Sequence, residues 1–475
     1  RPPKGLKTDY RETLGPGNYM RIFSGGSKAR YPDEVASDMG LTEEEFKQFL
    51  TEKLFSPRPK PEITSPVVGK TKEYTAISDE LKNQITTFFR PARKQTSRAF
   101  SLLGNKDTTV PMFSKIFEEW VKSGTDIIIE PYAGAFTIGT HAIRDAINAG
   151  LKEFHSNIFD KEKYIVVKAI EAGQTKQVKD LVAASVKRLS DSIVSRATGE
   201  ERKLLEEFFV KHPNSYIGSS EFYSFISEKP IASQVTVYKD LQDRWANLFQ
   251  EAYNELYKVE PIDLESAVMN SVIKRTGVFG GKGQPLIRIN GFTSFEGKLF
   301  GKYGMTAGFD DIAATMKLAR EKGTKITLYN EDGAGLVKRL SSDPMKTGYY
   351  FDPPYVRSAD VYENADKLAN FASGDALARS HAKAFADAQQ GAKLALTNDV
   401  DEEYIRAMMR DVPMAQAYAY KEGATPTSLI VSGETKPIVD RYLTEAEKTT
   451  HGERQEIAII KQIQIEKNLS NITMS

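Results

Sequence analysis

The run Asp126-Ile127-Ile128-Ile129-Glu130 sets three consecutive β-branched apolar residues between two acids, and Pro131-Tyr132-Ala133-Gly134 follows at once. So short an apolar run, stopped by proline and glycine, reads as a strand buried between covering layers. An amphipathic helix precedes it at residues 113 to 120. Behind it come a helix at 139 to 149, the segment Glu153-Phe154-His155-Ser156-Asn157 and a helix at 161 to 171. Strand, turn, helix and strand in this order begin an α/β nucleotide-binding fold. The pattern returns at 310 to 322, 325 to 329, 349 to 351, 393 to 397 and 456 to 465. Between the two blocks, residues 172 to 265 form long charged amphipathic helices. Residues 271 to 306 hold eight glycines and read as loops and short strands. One α/β domain, 96–171 with 305–475, is thus split by a mainly helical insertion at 172–304.

Residues 1–95 read as a separate extension. Their first thirty residues are punctuated by proline and glycine, and Thr42 with Glu45 forms a capping box ahead of Phe46 and Phe49. Ser56-Pro57-Arg58-Pro59-Lys60-Pro61 reads as an extended linker, and a helix is expected at 77 to 89. The chain starts at Arg1 rather than Met, which points to processing, excision from a larger product or trimming.

At 475 residues, 40% hydrophobic and 27% charged, the chain has the balance of a soluble globular protein. It has no apolar stretch of membrane-spanning length and no signal-peptide pattern, so a cytoplasmic location is expected. Cysteine is absent, which excludes disulfides, thiolate metal sites and covalent catalysis through Cys. A formal net charge of +1 means that any nucleic-acid surface is local.

The chemistry concentrates at Asp352-Pro353-Pro354-Tyr355, which ends the apolar run Gly348-Tyr349-Tyr350-Phe351. An amine conjugated to an aromatic ring is a poor nucleophile. A carboxylate and a proline-flanked carbonyl can grip its two hydrogens while an aromatic ring stacks on the base. After the first strand, Gly134 lets the turn approach a ligand closely, and Glu130 suits the ammonium of a methionine-like ligand. Upstream lies the loop Gly104-Asn105-Lys106.

Taken together, these motifs resemble the Dam-like, D12-class N6-adenine DNA methyltransferases, over roughly residues 100 to 465. That family opens with a Gly-Asn-Lys or Gly-Gly-Lys loop and continues into an acidic-Pro-Phe-x-Gly-x-Gly loop. Here the loop is Glu130-Pro131-Tyr132-Ala133-Gly134-Ala135-Phe136, so Phe136 stands at the last family glycine. The family's ribose-binding acid has no counterpart directly at the second strand end, where Asn157 is the better hydroxyl partner and Asp160 a helix cap. Glu331 or Asp332 corresponds to the acid that reads the cofactor adenine. Leu394-Ala395-Leu396-Thr397-Asn398-Asp399 and Arg454-Gln455-Glu456-Ile457-Ala458-Ile459-Ile460 resemble later family strands.

The resemblance implies a Rossmann-like S-adenosylmethionine-dependent methyltransferase sheet with an inserted recognition domain. It implies S-adenosyl-L-methionine as cofactor, held by Gly104, Asn105, Lys106, Glu130, Tyr132, Gly134, Asn157, Glu331 and Asp332. Asp352, Pro353, Pro354 and Tyr355 would be catalytic, with no metal required. Double-stranded DNA is the implied partner, with Lys274, Arg275, Lys302 and Tyr303 as contacts. The basic run Lys176, Lys179, Lys187, Arg188, Arg196, Arg202 and Lys203 is expected to add to them. N4-cytosine methylation, an RNA substrate and an idle methyltransferase fold used for binding stay open as alternatives, and so does the oligomeric state.

Overall fold

The computed structural model describes residues 96–100, 109–229, 239–258, 260–276, 278–279, 285–286, 295–340, 343–353, 392–399, 404–405, 407–408, 415–422, 425–441 and 461–463, with Thr42 and Glu45 before them. The strands of its main sheet are β1 (Ile127–Glu130), β2 (Glu153–Asn157), β3 (Lys325–Tyr329), β4 (Thr347–Phe351), β5 (Lys393–Asp399), β6 (Gln416–Glu422), β7 (Thr425–Val431) and β8 (Lys461–Ile463). They lie side by side in the order β3-β2-β1-β4-β5-β7-β6-β8. The first five run parallel, while β7, β6 and β8 add antiparallel pairings. Without the extra edge strand β8, this is the 3-2-1-4-5-7-6 order of the class I S-adenosylmethionine-dependent methyltransferase fold.

Helices cover both faces, which is why β4 is buried at every position. Tyr350 faces α1 (Val110–Lys122), its ring 4.5 Å from that of Phe113. Tyr349 and Phe351 point the other way, into a cluster with Ile129, Leu394, Leu396 and Met408. Phe113, Phe117 and Trp120 of α1 are fully buried, each contributing about 1.5–3 kcal/mol. Trp120 lies against Gly348, where a Cβ would come within 2.5 Å of its ring.

Two compact units divide the chain. Val186–Glu255 lies in the first, and all strands of the sheet together with Leu256–Leu286 lie in the second. The first holds α5 (Gly199–Lys211) and α6 (Ser220–Ser227), joined through Phe208, whose ring meets that of Phe222 at 5.0 Å. α4 (Thr175–Arg196) and α7 (Lys239–Leu256) run across the division. In the second unit, α8 (Leu264–Thr276) packs on α3 (Lys161–Glu171), and α9 (Met305–Lys322) leads into β3.

The structure changes three sequence expectations. Residues 271–276 are the last turns of α8 rather than loop, because Val272 and Ile273 are buried and glycine begins only at Gly277. α9 starts at Met305, five residues early, with Met305 and Phe309 buried. The antiparallel strands β6 and β7 were not anticipated. The Thr42 box forms as expected: Thr42 N–H donates to Glu45 Oε2 at 2.7 Å, and Glu45 N–H to Thr42 Oγ1 at 3.3 Å. The expected linker, the helix at 77 to 89, the loop Gly104-Asn105-Lys106, and Pro354 and Tyr355 lie outside the described residues. Among the described residues, no helix is long and apolar enough to cross a membrane.

Candidate functional site

Ligands of open α/β sheets sit beyond the carboxyl ends of the strands, where the strand order reverses. In this sheet that point lies between β1 and β4. Ile129 of β1 is level with Tyr349, so Glu130 and Asp352 close their strands two residues apart in register. Phe351 pairs with Leu396, which sets Asp352 beside Thr397 of β5.

Glu130 is 1% exposed, and the Ser156 hydroxyl donates to its Oε2 at 2.7 Å. Burial pushes this carboxyl up to about 8; Ser156 opposes the shift and the nearby Asp352 adds to it. Asp352 is half-buried, and the Thr397 hydroxyl, itself fully buried, donates to its Oδ1 at 2.6 Å. Pro353 follows it, buried.

The loop after β1 is held from below. Phe136 adopts φ 58°, a left-handed conformation costly for a bulky side chain, and Gly134 has φ 48°. The Phe136 ring is fully buried and packs so tightly on Gly139 that a Cβ there would come within 2.4 Å. The left-handed turn that a glycine at this position would adopt is therefore retained, and the ring points into the core. A π-helical turn, Ile138–Ala142, follows and opens α2 (Ile143–Ala149). Tyr132 is half-buried, its ring 6.3 Å from that of Phe351, and burial raises its phenol, with Asp332 adding to the shift.

The three strand ends are tied together by two asparagines. Asn157 donates to the carbonyls of Pro131 at 2.9 Å and Glu331 at 2.8 Å, and accepts from Glu331 N–H at 3.0 Å. Asn330 donates to the carbonyls of Ile158 and Phe159, both at 2.7 Å. Asn157 is fully buried with both amide hydrogens engaged, so it holds the loops rather than offering a donor to a ribose. Asp332 caps α10 (Gly333–Leu340), accepting from Gly335 N–H at 2.7 Å, and the Glu331 carboxylate pairs with Arg339. The Phe159 ring, 54% exposed at the end of β2, was not singled out from sequence; nor were Ser156 and Thr397. Only their register beside the two acids marks them out.

Glu130, Tyr132, Gly134, Asn157, Glu331, Asp332, Asp352 and Pro353 thus gather at one edge of the sheet. Lys274 does not join a nucleic-acid surface, and that expectation is corrected. Its ammonium pairs with Glu162, both side chains 5% exposed, beneath the Tyr257 ring. Nearby, burial works to raise the Asp160 carboxyl, but Lys163 and Lys274 outweigh it and hold the group below its usual range. The basic run of the insertion is largely matched by acids: Arg196 with Glu255 at 2.8 Å, Arg202 with Glu206 at 2.6 Å and Lys179 with Asp310 at 2.8 Å. Among the described residues, no cluster of His, Asp and Glu is arranged to hold a metal ion.

The donor set suits a cationic amino-acid ligand: a buried carboxylate at the switch point, a glycine turn beside it and an exposed aromatic ring at the end of the next strand. Neither protein-family models nor curated proteins provide a match to the chain.

Proposed function

We propose that this protein transfers a methyl group from S-adenosyl-L-methionine to the exocyclic N6 of adenine in double-stranded DNA. The observation that carries the reading is Asp352, aimed by Thr397 at the carboxyl end of β4 and set beside Glu130 in a class I methyltransferase sheet. Glu130 would face the ammonium of the cofactor's methionine end, the Gly134 turn its backbone, and Phe159 its adenine ring. Bound there, the cofactor supplies a methyl group activated by a sulfonium.

The remaining work belongs to the chain. The Thr397 hydroxyl orients the Asp352 carboxylate through Oδ1, and that carboxylate would accept one N–H of the target amine. The Pro353 carbonyl, followed by a residue without an N–H, accepts the other. Two acceptors on the amine hydrogens raise electron density at nitrogen and stabilise the positive charge that develops there. The proton released on N-methylation leaves through the Asp352 carboxylate. Tyr355 would stack on a base turned out of the duplex.

Asp352→Ala should abolish methylation while cofactor binding persists. Mass spectrometry of digested DNA, quantifying N6-methyladenine and N4-methylcytosine together, tests the target. Predominant N4-methylcytosine would overturn the adenine reading and keep the amine chemistry; product only on RNA would overturn the DNA reading.

A further inference from the structure

With Lys274 buried, three described cations close to it in the chain fold are Arg275, Lys298 and Lys302. Arg275 lies in the last turn of α8, half-buried, and its Nε donates to the Lys298 carbonyl at 3.1 Å. The Arg275 guanidinium is thereby fixed to the backbone of the short helix Glu296–Leu299, which carries Lys298. Desolvation, and after it the Arg275 guanidinium, hold the Lys298 ammonium below the usual lysine range.

The chain then turns sharply through Phe300-Gly301-Lys302-Tyr303-Gly304. A Cβ at Gly301 would come within 2.6 Å of the Gly297 carbonyl oxygen, so the turn is compact against its own backbone. It presents Lys302 to solvent, with Tyr303 39% and Phe300 36% exposed, and places the Lys302 ammonium 5.3 Å from the Tyr303 ring centre. The Arg98 N–H donates to the Tyr303 carbonyl at 3.3 Å and pins the turn from the other side.

The topology places this loop on the side of the site. α9 meets β3 at the amino edge of the sheet, where Lys325 N–H donates to the Lys152 carbonyl. The helix is about 27 Å long by its rise, so its first turn, directly after Gly304, lies toward the carboxyl edge. Lys274, next to Arg275, pairs with Glu162 in the first turn of α3, close behind the carboxyl end of β2.

We propose that Arg275, Lys298 and Lys302, with the Tyr303 ring, form a phosphodiester-binding site that holds a DNA strand next to the methyl-transfer site. The proposal rests on the nucleic-acid substrate reading above. The cations neutralise backbone phosphates, and the exposed ring offers a stacking face to a base unpaired by base extrusion.

The test uses the full chain with fluorescently labelled duplex DNA and an RNA duplex of the same sequence, measuring anisotropy over a salt series. Each lost phosphate contact lowers the slope of log K against log salt by about 0.9. Lys302→Gln alone should lower it by about one, and the triple change Arg275→Gln, Lys298→Gln, Lys302→Gln by about two to three. Tyr303→Ala should weaken binding to a mismatched duplex about fivefold or more, with Tyr303→Phe close to the parent. Calorimetric affinity for S-adenosyl-L-methionine should stay unchanged in all of them, which shows that the sheet is intact. A triple variant with the parent's salt slope would overturn the proposal and leave the methyltransferase reading standing. A parent chain that takes up the cofactor but binds neither duplex would overturn both. Loss of binding on RNA with none on DNA would confirm the phosphodiester site and replace the DNA reading with RNA.

Discussion

Glu130 is held out of water with one hydroxyl donor and an acid beside it, so its folded form favours the proton. A carboxyl raised in the folded state stabilises fully below its unfolded value near 4.5 and loses that contribution as pH rises to about 8. The loss amounts to roughly 3–6 kcal/mol, and Glu130→Gln should flatten it; urea unfolding from pH 5 to 8.5 reads both. A cofactor ammonium against Glu130 displaces its proton, so affinity should tighten up to about tenfold per pH unit between pH 6 and 7.5. Parallel curves for the parent and Glu130→Gln would move the cation elsewhere. At Asp352, Thr397→Val removes the aiming hydroxyl without changing shape. A hydrogen bond to a charged group is worth about 1.5–3 kcal/mol, so kcat should fall about tenfold or more, with KM for the cofactor steady and Thr397→Ser restoring most of it. An unchanged kcat in Thr397→Val would reduce that contact to packing.

At the scale of elements, the loops at the strand ends depend on Asn157 more than on their own sequence. Asn157→Ala leaves the Pro131 carbonyl and both backbone groups of Glu331 without these partners in a buried place. That should cost about 2–4 kcal/mol and weaken cofactor binding with it; a denaturation midpoint equal to the parent's would mean that the loops are held otherwise. The strands β1, β3, β4 and β5 were legible as short runs rich in apolar residues, and β2, with Phe154 alone apolar, from its place between two helices. The strands β6 and β7 were not: Gln416-Ala417-Tyr418-Ala419-Tyr420 mixes small, aromatic and polar residues, and Thr425-Pro426-Thr427-Ser428 opens β7 with a proline. Their strand state comes from pairing with each other and with β5.

Across the whole molecule, the buried pair Lys274–Glu162 joins α8, which belongs to the inserted segment, to α3 of the first α/β block. Lys274→Met should destabilise by about 3–5 kcal/mol because it strands Glu162 uncompensated, while Lys274→Met with Glu162→Met should recover most of that. Guanidinium unfolding of the two variants measures the difference. Both should keep the parent's salt slope on DNA, whereas a slope lowered by Lys274→Met in folded protein would return that residue to the binding surface.

The sequence by itself determined the α/β class, the split by a helical insertion, and the acids at two strand ends, because strand periodicity, turn residues and motif order are local properties of the chain. Tertiary structure alone decided which polar groups remain for a ligand. Asn157 and Lys274 read as binding residues in a linear chain, and burial commits the first to the loops of Pro131 and Glu331 and the second to Glu162. Ser156 and Thr397 carry no local signal, and parallel register brings their hydroxyls to Glu130 and Asp352. Whether a side chain meets water, a partner or a substrate depends on what packs across from it, and that is fixed only when distant segments are brought together.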